Sequence, residues 1–243
     1  MSKINVDTWE PEGASTAATM MASGDTVTVP SGASLVVASG ATINITGATQ
    51  TGFPSSGFDS VQVFTASGTY TVPAGITKQL VYVTGSGGGG GQTSASYGAT
   101  GGGGGGTVIK FLELAATSTV TVVIGAAGAI NGGAGNVSTF TTASGTGFTA
   151  LTGPAGQPGV QNNRNTSPTL PTGGDMNLAG GAGEGGAGGS SFWGGGGPSA
   201  WGNVQVSGAG VAFGSGGGCG SSNASYHTGA LGAAGVVFVL EFK

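Results

Sequence analysis

The side chains that enzymes most often use for catalysis are scarce in this chain, and their surroundings argue against a nucleophilic site. His227 is the only histidine and Cys219 the only cysteine. A Ser–His–Asp triad would need His227, but the sequence around it lacks a nucleophile turn. A Cys–His dyad needs a positioned, electropositive thiolate, whereas Cys219 follows three flexible glycines. We therefore predict that the chain is not an enzyme.

The acidic side chains and glycine motifs support neither metal nor cofactor binding. One histidine, one cysteine and scattered carboxylates do not form a ligand set. Asp175 and Glu184 are the only candidates for a glycosidase pair within the glycine-rich stretch, and we interpret them as solvated loop acids. Matches to Gly-x-Gly-x-x-Gly follow from composition, and no helix pattern follows them. We predict no cofactor and no metal.

Residues suited to recognition are more prominent than residues suited to catalysis. Several aromatic rings stand among glycines, and the segment 161–165 combines amide side chains with one guanidinium. Such groups can stack on saccharides or hydrogen-bond to them. The predicted receptor-contact residues are Asn163, Arg164, Asn165, Trp193, Trp201 and Tyr226. The alternative is that the rings are packing residues and that the amide cluster is a solvated turn.

The charge content limits the possible partners. Only 6% of the residues are charged, against about 25% in an ordinary soluble domain. The net charge of −4 and the five basic residues argue against nucleic acid, which requires clustered Lys or Arg. No apolar run is long enough to cross a membrane, and the first residues lack the apolar core of a signal peptide. A single cysteine forms no internal disulfide, which fits assembly in a reducing cytoplasm.

The N-terminal segment, residues 1–23, is predicted to anchor the chain to a larger partner. Its first twelve residues hold Lys3, Asp7, Glu10 and Glu12, a local concentration of charge in a chain that has little. The predicted docking residues are Ile4, Val6 and Trp9, because aromatic residues dominate interface anchoring. The alternative interpretation is an ordinary frayed terminus.

Residues 24–47 contain an internal repeat of eight residues. Ser-Gly pairs recur at 23, 31 and 39, and two apolar positions recur in each octad. This pattern indicates a short strand followed by a glycine turn. One chain with three such strands cannot cover their faces, so we predict that three chains join along this region. The predicted trimer core is Val27, Val29, Leu35, Val37, Ile43 and Ile45. A small β-helical coil within one chain is the alternative.

Residues 48–60 are predicted to be a linker and residues 61–243 a glycine-rich β-sandwich domain. Runs of β-branched and aromatic residues occur from Val61 to Phe140 and again at the end, and no helix-period stretch of useful length appears. The predicted fold class is therefore all-β, with an N-terminal peptide, a trimeric octad-repeat region and a C-terminal β-sandwich. A disordered tail would not end in a strand such as Val236–Phe242.

The glycine tracts between these strands allow two interpretations. Glycine costs roughly 0.5–1 kcal/mol more than alanine to order, so dozens of ordered glycines need a structural reason. Either the tracts are disordered linkers, or glycine is required because backbones pass very close together. We predict long glycine-rich loops or short packed helices of the extended, three-residue-per-turn type. If the packing is close, Gly103→Val should destabilise the protein strongly.

The order of motifs resembles a known family of viral proteins. Phe64–Gly75 is followed by Leu80–Val83, Thr119–Gly128, Gly133–Phe140 and finally Gly232–Val239. This order resembles the glycine-rich domain of bacteriophage tail-fibre and related appendage proteins, over about residues 61–243. The first ten residues also resemble the start of marine-phage tail fibres. Between Thr141 and Gly180 the chain departs from the usual pattern, so no family binding residue is carried over there.

The resemblance implies a homotrimeric virion protein, assembled in the host cytoplasm. Its N-terminus would dock to a phage tail, adaptor or baseplate protein, and its distal loops would contact a bacterial surface saccharide or outer-membrane protein. A purely structural head fibre or spacer is the first alternative, and a polysaccharide depolymerase is the second.

Overall fold

The computed structural model describes residues 57–94, 98–142, 148–161, 170–200, 207–220 and 227–243. The predicted docking residues Ile4, Val6 and Trp9 and the octad repeat with its predicted core lie outside the described residues. Within these ranges, no helix is long and apolar enough to cross a membrane.

In the part of the chain that the structure describes, nine strands form two antiparallel sheets. The five-stranded sheet has the order β1-β9-β3-β4-β8, and the four-stranded sheet has the order β2-β5-β6-β7. The strands are β1 Phe58–Phe64, β2 Gly68–Thr71, β3 Lys78–Thr84, β4 Thr107–Leu112, β5 Thr119–Val123, β6 Ser138–Thr142, β7 Leu151–Gly153, β8 Met176–Leu178 and β9 Val236–Phe242. The all-β prediction for this part of the chain is confirmed.

A single apolar core joins the two sheets into a sandwich. Alternating residues of β3 and β9, such as Val81 and Val239, face Val120 and Phe140 of the other sheet. All four are fully buried. Phe140 also packs its ring against Tyr70, with 5.8 Å between the centroids.

One strand begins earlier than the sequence predicts, and two short strands were not predicted. β1 begins at Phe58, inside the segment predicted as linker, because Phe58 pairs with Phe242 of β9. β7 and β8 were not predicted. Each has only three residues, too few to show an alternating pattern.

One carboxylate lies inside the sandwich, near the end where β9 finishes. The side chain of Glu241 is 1% exposed. It accepts hydrogen bonds from the Tyr70 hydroxyl at 2.9 Å, the Gln62 amide at 3.0 Å and the Ser60 hydroxyl. These donors replace the water that a buried carboxylate loses. Burial first, and then the hydrogen bond to Glu241, raise the pKa of Tyr70 above its ordinary value.

This network predicts a loss of stability at alkaline pH. In the unfolded chain Tyr70 ionises near its ordinary pKa of 10.0, whereas in the fold it keeps its proton. The unfolded state therefore binds fewer protons above that pH, and the free energy of unfolding falls by about 1.4 kcal/mol per pH unit. Tyr70→Phe removes this slope. Urea unfolding between pH 8 and pH 11 checks it, with Tyr82→Phe as control; identical slopes in all three proteins would contradict the assignment.

The glycine tracts form an ordered bundle of extended segments. Its three central segments, residues 85–91, 100–106 and 214–220, are buried along their whole length. The Gly88 amide donates to the Gly103 carbonyl at 2.9 Å, Gly102 donates to Gly217 at 2.8 Å, and Gly217 donates back to Gly88 at 3.0 Å. The three segments are thus bonded to one another in a closed ring.

Hydrogen bonding along the first central segment repeats every three residues. The amides of Gly85, Gly88 and Gly91 donate to the second central segment. The intervening amides of Gly87 and Gly90 donate to the carbonyls of residues 233 and 230, which precede β9. A period of three is the signature of the extended helix with three residues per turn, whose amides point outward in three directions.

Close approach explains why glycine is required in the bundle centre. A Cβ on Gly102 would lie 2.1 Å from the Gly88 carbonyl oxygen, and one on Gly217 would lie 2.3 Å from the Ala230 oxygen. No real Cβ makes such a contact. The disordered-linker alternative is therefore wrong for the described tracts, because their buried backbone groups are paired as an ordered interior demands.

Candidate functional site: the distal end of the glycine bundle

The bundle continues directly from one end of the sandwich. Thr84 of β3 pairs with both Thr107 of β4 and Val236 of β9, and a glycine adjoins each of these residues on the bundle side. At the opposite end of the sandwich, the Lys243 amide donates to the Gly57 carbonyl at 3.1 Å. The chain before Gly57 is therefore attached at the end of the sandwich that is farthest from the bundle.

Segments that are far apart in sequence meet at the distal end of the bundle. The Thr93 amide donates to the His227 carbonyl at 3.2 Å, and Ala200 donates to Cys219 at 3.3 Å. Ala99 forms an antiparallel bridge with Gln161. The distal end, as the term is used below, comprises these contacts and the adjoining turn at Glu184.

Several described residues that flank the predicted contact residues in the sequence lie at this end. Asn163, Arg164, Asn165, Trp201 and Tyr226 themselves lie outside the described residues. Gln161, Ala200 and His227, which flank the segments that contain them in the sequence, are at the distal end. On the other side of the segment 162–169 the chain lies beside the sandwich, because Thr172 forms a bridge with Thr152 of β7. The described chain resumes at Ser207, which is also at this end, because the Ser207 hydroxyl donates to the Thr228 carbonyl at 2.9 Å.

Trp193 lies elsewhere and has a packing role. It sits where the bundle meets the sandwich, in the turn closed by the Ser191 amide and the Gly194 carbonyl. Its indole Nε1 donates to the Thr84 hydroxyl at 2.8 Å, and its ring stacks on Phe238 at 4.4 Å. Trp193 is therefore not part of the distal end.

The described polar side chains at the distal end are mostly uncharged. Gln161 is exposed, Gln92 and His227 are half-buried, and Glu184 is an exposed acid in the turn after residue 183. Sequence reasoning singled out His227 and Glu184 only as unsuitable for catalysis. Their convergence with Gln161 had no local signal, because it arises from hydrogen bonds between distant glycine segments.

The side chains considered for catalysis are either far apart or held in an unreactive form. Asp175 lies beside β4, where it accepts hydrogen bonds from the Phe111 amide at 2.9 Å and from Lys110 at 3.1 Å. These contacts, the Phe111 amide first, lower the pKa of Asp175. Because Glu184 lies at the distal end, the two acids do not share a cleft within one chain.

Cys219 is buried, and its surroundings suppress the thiolate. Burial raises the pKa of the Cys219 thiol, and its Sγ contacts the Gly220 carbonyl at 3.0 Å. A reactive cysteine needs the opposite shift. Among the described residues, no group of three or more His, Cys, Asp or Glu side chains could hold a metal ion.

Two comparisons with known proteins found no relative of this chain. No protein-family model matches the chain, and no curated protein sequence is significantly similar to it.

Proposed function

We propose that this chain is a homotrimeric tail-fibre or fibre-tip protein of a bacteriophage. Its N-terminal residues dock to a tail, adaptor or baseplate protein, and the distal end of its glycine bundle contacts the bacterial surface. The observation that carries the proposal is the opposed placement of Gly57 and the distal end. A chain anchored before Gly57 presents the bundle outward.

The architecture of the bundle suits a tip that binds through exchangeable loops. Its centre is held by backbone hydrogen bonds between glycine segments, so it does not depend on the side chains that the segments at the distal end carry. The segments joined at the distal end can therefore vary without disturbing the scaffold, as binding loops do on other rigid frames. The amide-rich and aromatic segments that adjoin the residues of the distal end in the sequence have the chemistry to bind a surface saccharide or an outer-membrane protein.

A spacer without receptor binding is the competing function. The same fold would then serve as a stiff virion element, and the residues at the distal end would be interchangeable. The two functions differ in whether single substitutions at that end abolish attachment.

Arg164→Ala and Trp201→Ala separate the two functions. A contact residue loses cell adsorption by about tenfold or more while its melting temperature stays unchanged, because hot-spot residues carry about 2 kcal/mol or more each. Adsorption of purified protein to host cells and thermal unfolding are measured on the same preparations. Trp193→Ala is the packing control: we expect it to lower the melting temperature first.

The opposite result would favour the spacer function over the receptor-binding function. If Arg164→Ala and Trp201→Ala both adsorb and melt as the unmodified protein does, these loops make no receptor contact. If either variant loses stability before adsorption, that residue is a packing residue.

A further inference from the structure

The outer face of the five-stranded sheet is apolar across its central strands. Its inner face supplies the core, so the alternating residues point away from the sandwich. One cross-strand row consists of Val63, Phe238 and Tyr82, and the next contains Val61, Leu240 and Leu80. These six residues define what we call the outer face.

The outer face continues onto the side of the bundle. Phe192 packs its ring against Tyr82 with 5.9 Å between the centroids, and Phe213 contacts Phe238 at 6.5 Å. Between the sheet and the bundle lies a groove of about 490 Å³, lined by Trp193, Val211, Phe213 and Phe238 among others. Val211 is 75% exposed. The apolar surface therefore extends beyond the strands.

Strands with apolar residues on both faces are typical of sheets buried on both sides. An antiparallel sheet with one solvated face normally alternates apolar and polar residues. Here Leu80–Val83 and Val236–Leu240 are continuously apolar. More than half of the exposed large hydrophobic residues described lie on the outer face or next to it: Val61 and Val63 on the face, and Phe58, Phe111, Met176, Phe192, Val211 and Phe213 beside it. Monomeric soluble proteins rarely leave such a patch uncovered.

The size of the surface suits a protein–protein interface. The sheet has five strands, three of them seven residues long. Strand spacings of about 4.8 Å and a rise of about 3.4 Å per residue give roughly 500 Å² of projected area. The bundle side adds to this, which brings the surface toward the about 800 Å² that each partner contributes to a standard interface.

The charges around the outer face favour an identical partner. Lys243 pairs with Asp59, and Lys110 pairs with Asp175, so these two cations at the edges of the sheet already have partners. Lys78 is the one charged side chain of β3 on this side. A strongly charged partner would find little to bind on this face, whereas the next copy of this chain, in which only 6% of the residues are charged, meets it with little like-charge repulsion.

The point of attachment brings copies of this face together. The chain before Gly57 joins β1, the edge strand of this sheet. If residues 24–47 hold three chains together, only about ten residues separate that region from Phe58, and ten residues reach at most roughly 35 Å. That tether gives the domains an effective concentration in the millimolar range.

We propose that the outer face packs against the same domain of a second copy within the trimer, forming an interface additional to residues 24–47. The inference rests on the proposed homotrimer. It assigns the trimer a contact that runs beside the glycine bundle and orders the three distal ends relative to one another.

Thiol accessibility in the full-length protein tests this interface. Val63→Cys places a thiol on the outer face, and Val123→Cys places one on an exposed strand of the other sheet. The two valines are matched controls, since they are 46% and 40% exposed in the single chain. Native Cys219 is buried and gives the background rate. We expect Val63→Cys to react with a bulky maleimide at least about tenfold more slowly than Val123→Cys.

Sedimentation of the unmodified chain distinguishes failure of this inference from failure of the trimer. A trimer in which both thiols react within twofold of each other overturns the interface and leaves the trimer intact. A monomer in which both thiols react rapidly overturns both. A monomer with a protected Val63→Cys also overturns the proposal, because residues 1–56 of the same chain would then cover the face.

Discussion

Replacing Gly102 with alanine is expected to prevent folding or to lower the free energy of unfolding by more than about 4 kcal/mol. The added Cβ would lie 2.1 Å from the Gly88 carbonyl oxygen and 2.7 Å from that of Gly89. Both atoms belong to the backbone of a buried segment and cannot rotate away. Moving either segment to relieve these contacts would strain the hydrogen bond from Gly102 to Gly217. Thermal and urea unfolding measure the loss.

Gly195→Ala is the matched control for this substitution. Gly195 also belongs to the glycine-rich half, but a Cβ on it would meet nothing within 4 Å. We expect no loss, or a gain of about 0.4–1 kcal/mol from the more restricted unfolded chain. Equal and small effects at both positions would show that the central segments are not closely packed in solution.

Placing aspartate at three apolar positions of the octad repeat, Val27, Leu35 and Ile43, is expected to dissociate the trimer. If these side chains meet between chains, the variant buries three unpaired carboxylates per chain, each costing several kcal/mol. Sedimentation at micromolar concentration should then shift from trimer to monomer. The glycine-rich domain is expected to stay folded, because its core lies within residues 57–243.

The repeat supplies its own control. Thr26, Ser34 and Thr42 precede the three apolar positions by one residue, so in strands they point to the opposite face. Aspartate at these positions should leave the trimer intact. If both triple variants sediment as the unmodified protein does, the octad repeat is not the trimer core.

Local sequence predicted the longer strands and missed the short ones for a simple reason. β3 and β9 are runs of β-branched and aromatic residues, which favour strands strongly. β7 and β8 are held by pairing with β6 and β4 rather than by their own composition. Three-residue strands depend on partners that only the tertiary fold brings to them.

The glycine tracts show what a uniform sequence cannot specify by itself. The glycine composition is compatible with both a disordered linker and close packing, and composition alone does not distinguish the two. The decision lies in hydrogen bonds such as Gly88 to Gly103 and Gly102 to Gly217, which join tracts that are alike in sequence. Register in such a bundle is fixed by the strands that enter it.

The candidate site was predictable in part. Composition marked the polar and aromatic segments between glycines as suited to recognition. The meeting of distant described segments at one end of the bundle arises only from hydrogen bonds between them, such as that from Thr93 to His227. Trp193 illustrates the limit. Its glycine-rich neighbours made it resemble a contact residue, whereas Phe238, the ring on which it stacks, lies in the last strand.

We propose that the chain is a virion appendage with its glycine bundle outermost. Electron microscopy of phage particles that carry the chain tests it most directly, using an antibody fragment raised against the distal end. Glu184→Lys and Gln161→Lys, exposed residues at that end, define the epitope. The account predicts label at the far tips of the tail appendages. Label on the head, label at the appendage base, or particles without the chain would contradict it.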